Sequence, residues 1–192
     1  MTAFTEPTTP YWQGLLLAAN VPQGQAPWRL GYPAVLPDGR VLMLPIRALA
    51  STPTHAVASL LINQASFEVA ETLAQMLARR LVDLQPELVI GLPTLGLGFA
   101  AAVARHLGHG RFVPMGTSRK FWYDDAISSG STALAPWQLI ESLGAEVLAY
   151  DVAMRQGKRW QQTLGPERAA RVVGVFDSPL LQLADDGWIE RC

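Results

Sequence analysis

Residues 87–108 read ELVIGLPTLGLGFAAAVARHLG. The opening ELVIG is a short, continuously apolar run, the pattern of a strand covered on both faces. LPTL then interrupts it, and LGFAAAVARHLG (97–108) reads as a helix stopped by Gly108. Downstream the alternation repeats. RFVPM (111–115) is a strand, STALAPWQLIESLG (131–144) a helix ending at Gly144, and AEVLAYDVAM (145–154) a strand. Pro136 is tolerated in that helix only near its first turn. Strands alternating with helices predict an α/β fold whose mostly parallel central sheet, from about residue 86 to 154, is flanked by helices.

Working outward, residues 66–84 carry Phe67, Ala70, Leu73, Leu77, Leu81 and Leu84 at three- and four-residue steps. They predict an amphipathic helix with Ser66 as N-cap. GYPAVLPDGRVLMLPIRAL (31–49) predicts a hairpin around Pro37-Asp38-Gly39. YWQGLLLAA (11–19) reads as a short apolar helix, and the Thr/Pro-rich residues 1–10 as loose. After Gly157 come a charged segment, a strand ARVVGVF (170–176) and an irregular tail, DSPLLQLADDGWIERC. One domain is expected, with a core at 61–156 and a small hood formed by the N- and C-terminal segments 11–60 and 157–192.

Composition narrows the classes. Of 192 residues, 49% are hydrophobic, enough for a sizeable core. The net charge of −1 gives no bulk attraction to nucleic acid or an acidic membrane. Cys192 is the sole cysteine, which excludes a disulfide framework or a Cys-based zinc site. No signal-peptide pattern or membrane-length apolar run is present, so a cytoplasmic globular protein is expected. His55, His106 and His109 show no metal-ligand spacing. Phe176 and Trp188 could stack on a base but are better read as packing residues.

The stretch DDAISSGST (124–132) joins two carboxylates to a phosphate-attracting loop. Asp124 and Asp125 fall where a strand would end. Ser128, Ser129, Gly130, Ser131 and Thr132 lead into a helix N-terminus, whose free N–H groups and dipole favour an anion. One ligand uses both halves if its phosphate is separated from a pair of hydroxyls, as in a ribose 5-phosphate. The carboxylates would accept hydrogen bonds from the 2- and 3-hydroxyls and favour positive charge developing on the ring.

On these residues the chain resembles the type I phosphoribosyltransferases, which bind phosphoribosyl pyrophosphate (PRPP). DDAISSGST is similar to their PRPP motif, ELVIGLPTLGLGFAAAVARHLG to the first core strand, pyrophosphate loop and helix, and RFVPMGTSRK to the next strand with its Arg-Lys pair. The resemblance implies catalytic roles for Asp124 and Asp125 and 5-phosphate binding by Ser128–Thr132. It implies pyrophosphate binding by Pro93, Thr94, Leu95 and Gly96, with Arg119 and Lys120. It further implies Mg²⁺ held mainly through PRPP, a homodimer, and transfer of phosphoribose to a nitrogenous base, purine-like by preference, with release of pyrophosphate. A PRPP- or nucleotide-sensing regulator of the same fold is the alternative. A third reading takes GLGFAA (96–101) as a Rossmann G-x-G-x-x-A site for NAD(P), with Arg119 near a 2′-phosphate; the intervening LPTL counts against it.

The chain departs from the family at one place. A mobile loop and a core strand normally separate the Arg-Lys pair from the acid pair; here only Phe121-Trp122-Tyr123 do. Parallel neighbours need a crossover of about a dozen residues or more. The expectation is therefore a chain that is discontinuous or rearranged between Lys120 and Ala126.

Overall fold

The computed structural model describes residues 4–5, 13–21, 25–93, 95–115, 126–127 and 130–191. In chain order the strands and helices are β1 (Leu15–Leu16), β2 (Gly31–Val35), β3 (Val41–Leu49), β4 (Thr52–Ala58), α1 (Phe67–Leu81), β5 (Ile90–Gly91), α2 (Gly96–His106), β6 (Val113–Pro114), β7 (Ala126–Ile127), α3 (Ser131–Ser142), β8 (Tyr150–Gln156), α4 (Arg159–Ala169), β9 (Val172–Ser178), β10 (Leu180–Ala184) and β11 (Gly187–Glu190). They fall into two compact units, one of Met1–Val69 with Phe176–Cys192 and one of Ala70–Val175.

The first unit holds the largest sheet, with six strands in the order β1-β3-β4-β10-β11 and β2 beside β3. Among the described residues every strand pairing in it is antiparallel. The β2–β3 hairpin forms as its turn residues predict, from Gly31 opposite Pro45 to Val35 opposite Val41. The Asp38 carboxylate locks the turn by accepting the Arg40 N–H at 3.0 Å and its Nε–H at 2.7 Å. The central strand buries Leu42, Leu44 and Ile46 completely, with Leu181 and Trp188 from the C-terminal hairpin equally buried.

Three expectations are corrected here. The mostly parallel central sheet does not form: the main sheet is antiparallel and consists of the terminal segments expected to make only a small hood. The tail read as irregular is the β10–β11 hairpin, turning on Asp185-Asp186 before Gly187. The helix expected at 11–19 is replaced, over its described part, by β1 and a 3₁₀ turn at Ala18–Asn20. Gln13 explains that replacement. Its buried amide accepts the Leu61 N–H at 2.7 Å and donates to Met43 O at 3.2 Å, while its backbone bonds Gln64 O and the Ser66 N–H. A helix would withdraw those backbone groups into its own ladder.

α1 begins in the first unit and continues into the second. The Ser66 hydroxyl accepts the Val69 N–H at 3.2 Å, the predicted cap. Val69, Leu73 and Leu77 are fully buried, whereas Phe67, counted in the apolar stripe, is 96% exposed; the buried face starts at Val69.

The second unit contains the parallel pairing. β5 runs parallel to β6, with Ile90 opposite Val113. β7 runs parallel to β8, with Ala126 opposite Met154 and Ile127 opposite Arg155, and β9 lies on the other side of β8. Thus strand and helix alternate as read, and among the described residues the β5–β6 and β7–β8 ladders match two residue pairs each. Pro114 contributes no N–H to its ladder. Pro136 sits in the second turn of α3, beyond its expected place, and withholds the N–H that residue 132 would accept in an unbroken helix. α4 bends at Gly165-Pro166, where Gly165 leaves helical geometry. No helix among the described residues is long and apolar enough to cross a membrane.

Leu44→Ala should cost about 2–5 kcal/mol by opening a cavity in the main sheet. Ser66→Ala should cost about 1 kcal/mol through loss of the cap. Urea midpoints at constant m-value check both.

Candidate phosphate turns and a buried carboxyl

Two strand-to-helix passages in the second unit carry the sequence-predicted site. In the first, β5 ends at Gly91 and α2 starts at Gly96. Pro93 lies in the bend between them and Leu95 is the N-cap residue. A Cβ at Gly91 would approach Ala100 Cβ and a Phe112 ring carbon to 3.0 Å, so the glycine brings helix, strand and the β6 approach together. In the second passage, β7 leads to Gly130, the N-cap of the twelve-residue α3. Neither helix has an acidic residue in its first turn or a described side chain capping its N-terminus. Their first N–H groups are therefore suited to an external acceptor.

Gly130 is buried, at φ +78°. A Cβ there would stand 3.1 Å from both Cα and the carbonyl oxygen of Trp160. Glycine is thus demanded twice, by the left-handed backbone and by the backbone of α4. Trp160 is fixed in turn by its indole N–H, which donates to Gly157 O at 3.1 Å, and by a core of Ala133, Val152, Leu164 and Val172. The sequence assigned Gly130 to the phosphate loop; the structure adds this packing role.

Of the other predicted site residues, Ser131 and Thr132 form the first two positions of α3. Asp124, Asp125, Ser128, Ser129, Thr94, Arg119 and Lys120 lie outside the described residues, as does the segment 116–125 where the break in pattern was expected. Gly96 and Gly98 are both inside α2, and a Cβ at Gly98 would meet nothing within 4 Å. That is not the tight pre-helical glycine turn of a dinucleotide site. Trp188 and Phe176 are buried in the first unit; the Trp188 indole N–H donates to Phe4 O at 2.9 Å. His106 pairs with Glu71 at 2.8 Å, and no cluster of three His, Cys, Asp or Glu residues occurs among the described ones.

Asp151 escaped the sequence reading. It lines a cavity of about 660 Å³ with Trp137 and Tyr150, whose rings stack at 5.9 Å. Its Oδ1 is buried without a hydrogen-bond partner among the described residues. Burial pushes the carboxyl up to about 7. The available signal was one acid inside the apolar run AEVLAYDVAM.

No protein-family model matches the chain, and no curated protein matches it.

Gly130→Ala should destabilise the second unit by about 1–3 kcal/mol without any ligand, because the strain lies in the fold itself; thermal melts of ligand-free protein measure this. For Asp151 the unfolded chain ionises near 3.8 and the folded one near 7. Below pH 4 both states are protonated and the group is neutral to stability. Between pH 4 and 7 only the unfolded state has lost its proton, so stability falls as pH rises, and levels off above 7. Asp151→Asn should accordingly match wild type below pH 4 and exceed it at pH 8, by at most about 4 kcal/mol. A stability difference independent of pH would contradict the assignment.

Proposed function

We propose that the second unit binds a ribose 5-phosphate at the β7–α3 turn, and that the protein is a cytoplasmic phosphoribosyltransferase acting on PRPP. The observation that carries this reading is the passage from β7 through Gly130 into α3. The parallel strand β7 ends at Ile127, a left-handed Gly130 follows three residues later as N-cap, and the helix it opens has no described side-chain cap and no acid in its first turn. Such a turn presents backbone N–H groups to an anion. The adjoining Ser128, Ser129, Ser131 and Thr132 add hydroxyl donors in sequence, and Asp124 and Asp125 are the nearest acids for the ribose hydroxyls.

The second strand-to-helix passage, Pro93 to Gly96, suits pyrophosphate in the same way. Pro93 shapes the turn without donating, since it has no N–H; Arg119 and Lys120 supply charge. Mg²⁺, held mainly by PRPP oxygens, would screen charge between the pyrophosphate and the protein. The protein's own contribution is positioning and the placement of negative charge near the ring as the C1–pyrophosphate bond breaks. The acceptor is a nitrogenous base, purine-like by preference, and a homodimer is the expected assembly.

Calorimetry with PRPP, a nucleoside 5′-monophosphate and pyrophosphate tests the binding half. PRPP and the monophosphate should both bind. Arg119→Ala should weaken PRPP and pyrophosphate about tenfold or more, at the ~1.4 kcal/mol of a charge-assisted contact, and leave the monophosphate nearly unchanged. Failure of PRPP and the monophosphate to bind would overturn the reading. Pyrophosphate release in the presence of purine and pyrimidine bases tests the catalytic half. Replacing Asp124 and Asp125 together by Asn should lower kcat more than it raises KM, because their charge acts most strongly as the ring becomes positive. Ligand binding without pyrophosphate release for any base would make the protein a sensor of PRPP or nucleotide.

A further inference from the structure

Trp160 stands behind the β7–α3 turn and touches it twice. Its backbone meets Gly130: a Cβ at that glycine would lie 3.1 Å from Trp160 Cα and 3.2 Å from Trp160 Cβ. The residue is 4% exposed and belongs to the cluster of Ala133, Val152, Leu164 and Val172, with Leu134 and Tyr150 packed against it. Ala133 and Leu134 lie in the first turn of α3, and the Leu134 N–H donates to Gly130 O at 3.2 Å. The N–H groups of residues 131–133 precede that bond and have no acceptor in the helix ladder. They are the donors available to an anion. Trp160 supports them at both ends, at Gly130 and at Ala133.

One short stretch of chain braces the turn. At its entry, Ile127 of β7 is matched with Arg155 of β8. At its exit, Gly130 packs on Trp160. Between those anchors β8 ends at Gln156, and the Trp160 indole N–H donates to Gly157 O at 3.1 Å. The Gln161 N–H donates to Lys158 O, also at 3.1 Å. These bonds close residues 157–161 into a compact bend at the start of α4. The span of the phosphate turn, from strand to helix, is therefore set by the span from Arg155 to Trp160.

We infer that Trp160 is a positioning residue for the 5-phosphate: its indole hydrogen bond to Gly157 holds the β7–α3 turn at its working width, and occupation of the turn is felt at the indole. The inference rests on the ribose 5-phosphate reading of that turn and adds the residue that preorganises it. A turn held in shape before binding loses little freedom when the ligand arrives. Without the indole N–H the bend loosens, and the ligand must order the turn itself. The passage at Pro93–Gly96 follows a different strand, β5, paired with β6. A ligand group held there does not depend on the brace.

The test compares wild type with Trp160→Phe, which keeps an aromatic ring in the cluster and loses the indole N–H. Both are titrated by calorimetry with ribose 5-phosphate and with inorganic pyrophosphate, well below their melting temperatures. The variant should keep the wild-type far-UV circular dichroism and bind ribose 5-phosphate about fivefold or more weakly. It should bind pyrophosphate as wild type does, whereas a general loosening of the fold would weaken both. A second measurement needs no variant to fold. In an NMR titration of wild type, the Trp160 indole N–H resonance should move with ribose 5-phosphate, in step with the calorimetric saturation, and stay in place with pyrophosphate. Unchanged ribose 5-phosphate affinity in Trp160→Phe, equal losses for the two ligands, or an indole resonance indifferent to ribose 5-phosphate overturns the inference and leaves the phosphate reading intact. Failure of wild type to bind ribose 5-phosphate overturns the reading of the turn, and the inference with it.

Discussion

A parallel pair of strands can form only if the chain between them is long enough to leave one end of the sheet and return to the other. The second unit is shaped by where that condition is met. Between β5 and β6 lie 21 residues (92–112), including α2, and the two strands pair in parallel. Between β7 and β8 lie 22 residues (128–149), including α3, and they also pair in parallel. Between β6 and β7 there are eleven, and among the described residues no pairing joins the β5–β6 and β7–β8 sheets. Both candidate phosphate turns lie where the length condition is satisfied, at the carboxyl end of a parallel strand, which is where ligands bind in sheets of this kind.

Much of the local structure was legible. Pro37-Asp38-Gly39 gave the hairpin because its turn chemistry is self-contained: Asp38 bonds Arg40, and Leu36 exchanges backbone bonds with Gly39 and Arg40. Ser66 and the leucine spacing gave α1 for the same reason. What escaped depends on partners distant in sequence. β4 is TPTHAVA, with a proline and few large apolar residues; it is a strand because β3 and β10 flank it. The stretch LLLAA is helix-like in composition, but Gln13 beside it exchanges hydrogen bonds with residues 43, 61, 64 and 66, and those set the backbone. The parallel sheet was inferred from a true alternation of strands and helices, but ladder length is not written in alternation.

The site was legible in the same uneven way. A glycine among serines ahead of a helix was readable as an anion-binding turn. Its second duty was not, because Trp160 lies 30 residues away and nothing in SSGST points to it. The two duties reinforce each other: the α4 backbone that forbids a side chain at 130 also holds the turn in shape before any ligand arrives, and a preorganised turn loses less freedom on binding. Asp151 shows the opposite relation, a group whose burial opposes its charge and weakens the fold near neutrality.

The main sheet also has a history in time. β4 near residue 55 is hydrogen-bonded to β10 near residue 182, and Trp188 exchanges backbone bonds with Trp28. During synthesis, the N-terminal strands leave the ribosome long before these partners exist. The contacts of the second unit, by contrast, are confined to residues 70–175 and are complete earlier. The inserted unit is thus available to fold first, while the flanking strands wait with β4 lacking one neighbour. Unpaired strand edges of this kind are prone to aggregate. The proline and histidine within TPTHAVA suit that interval, since a short, proline-bearing edge is a poor template for pairing with another chain.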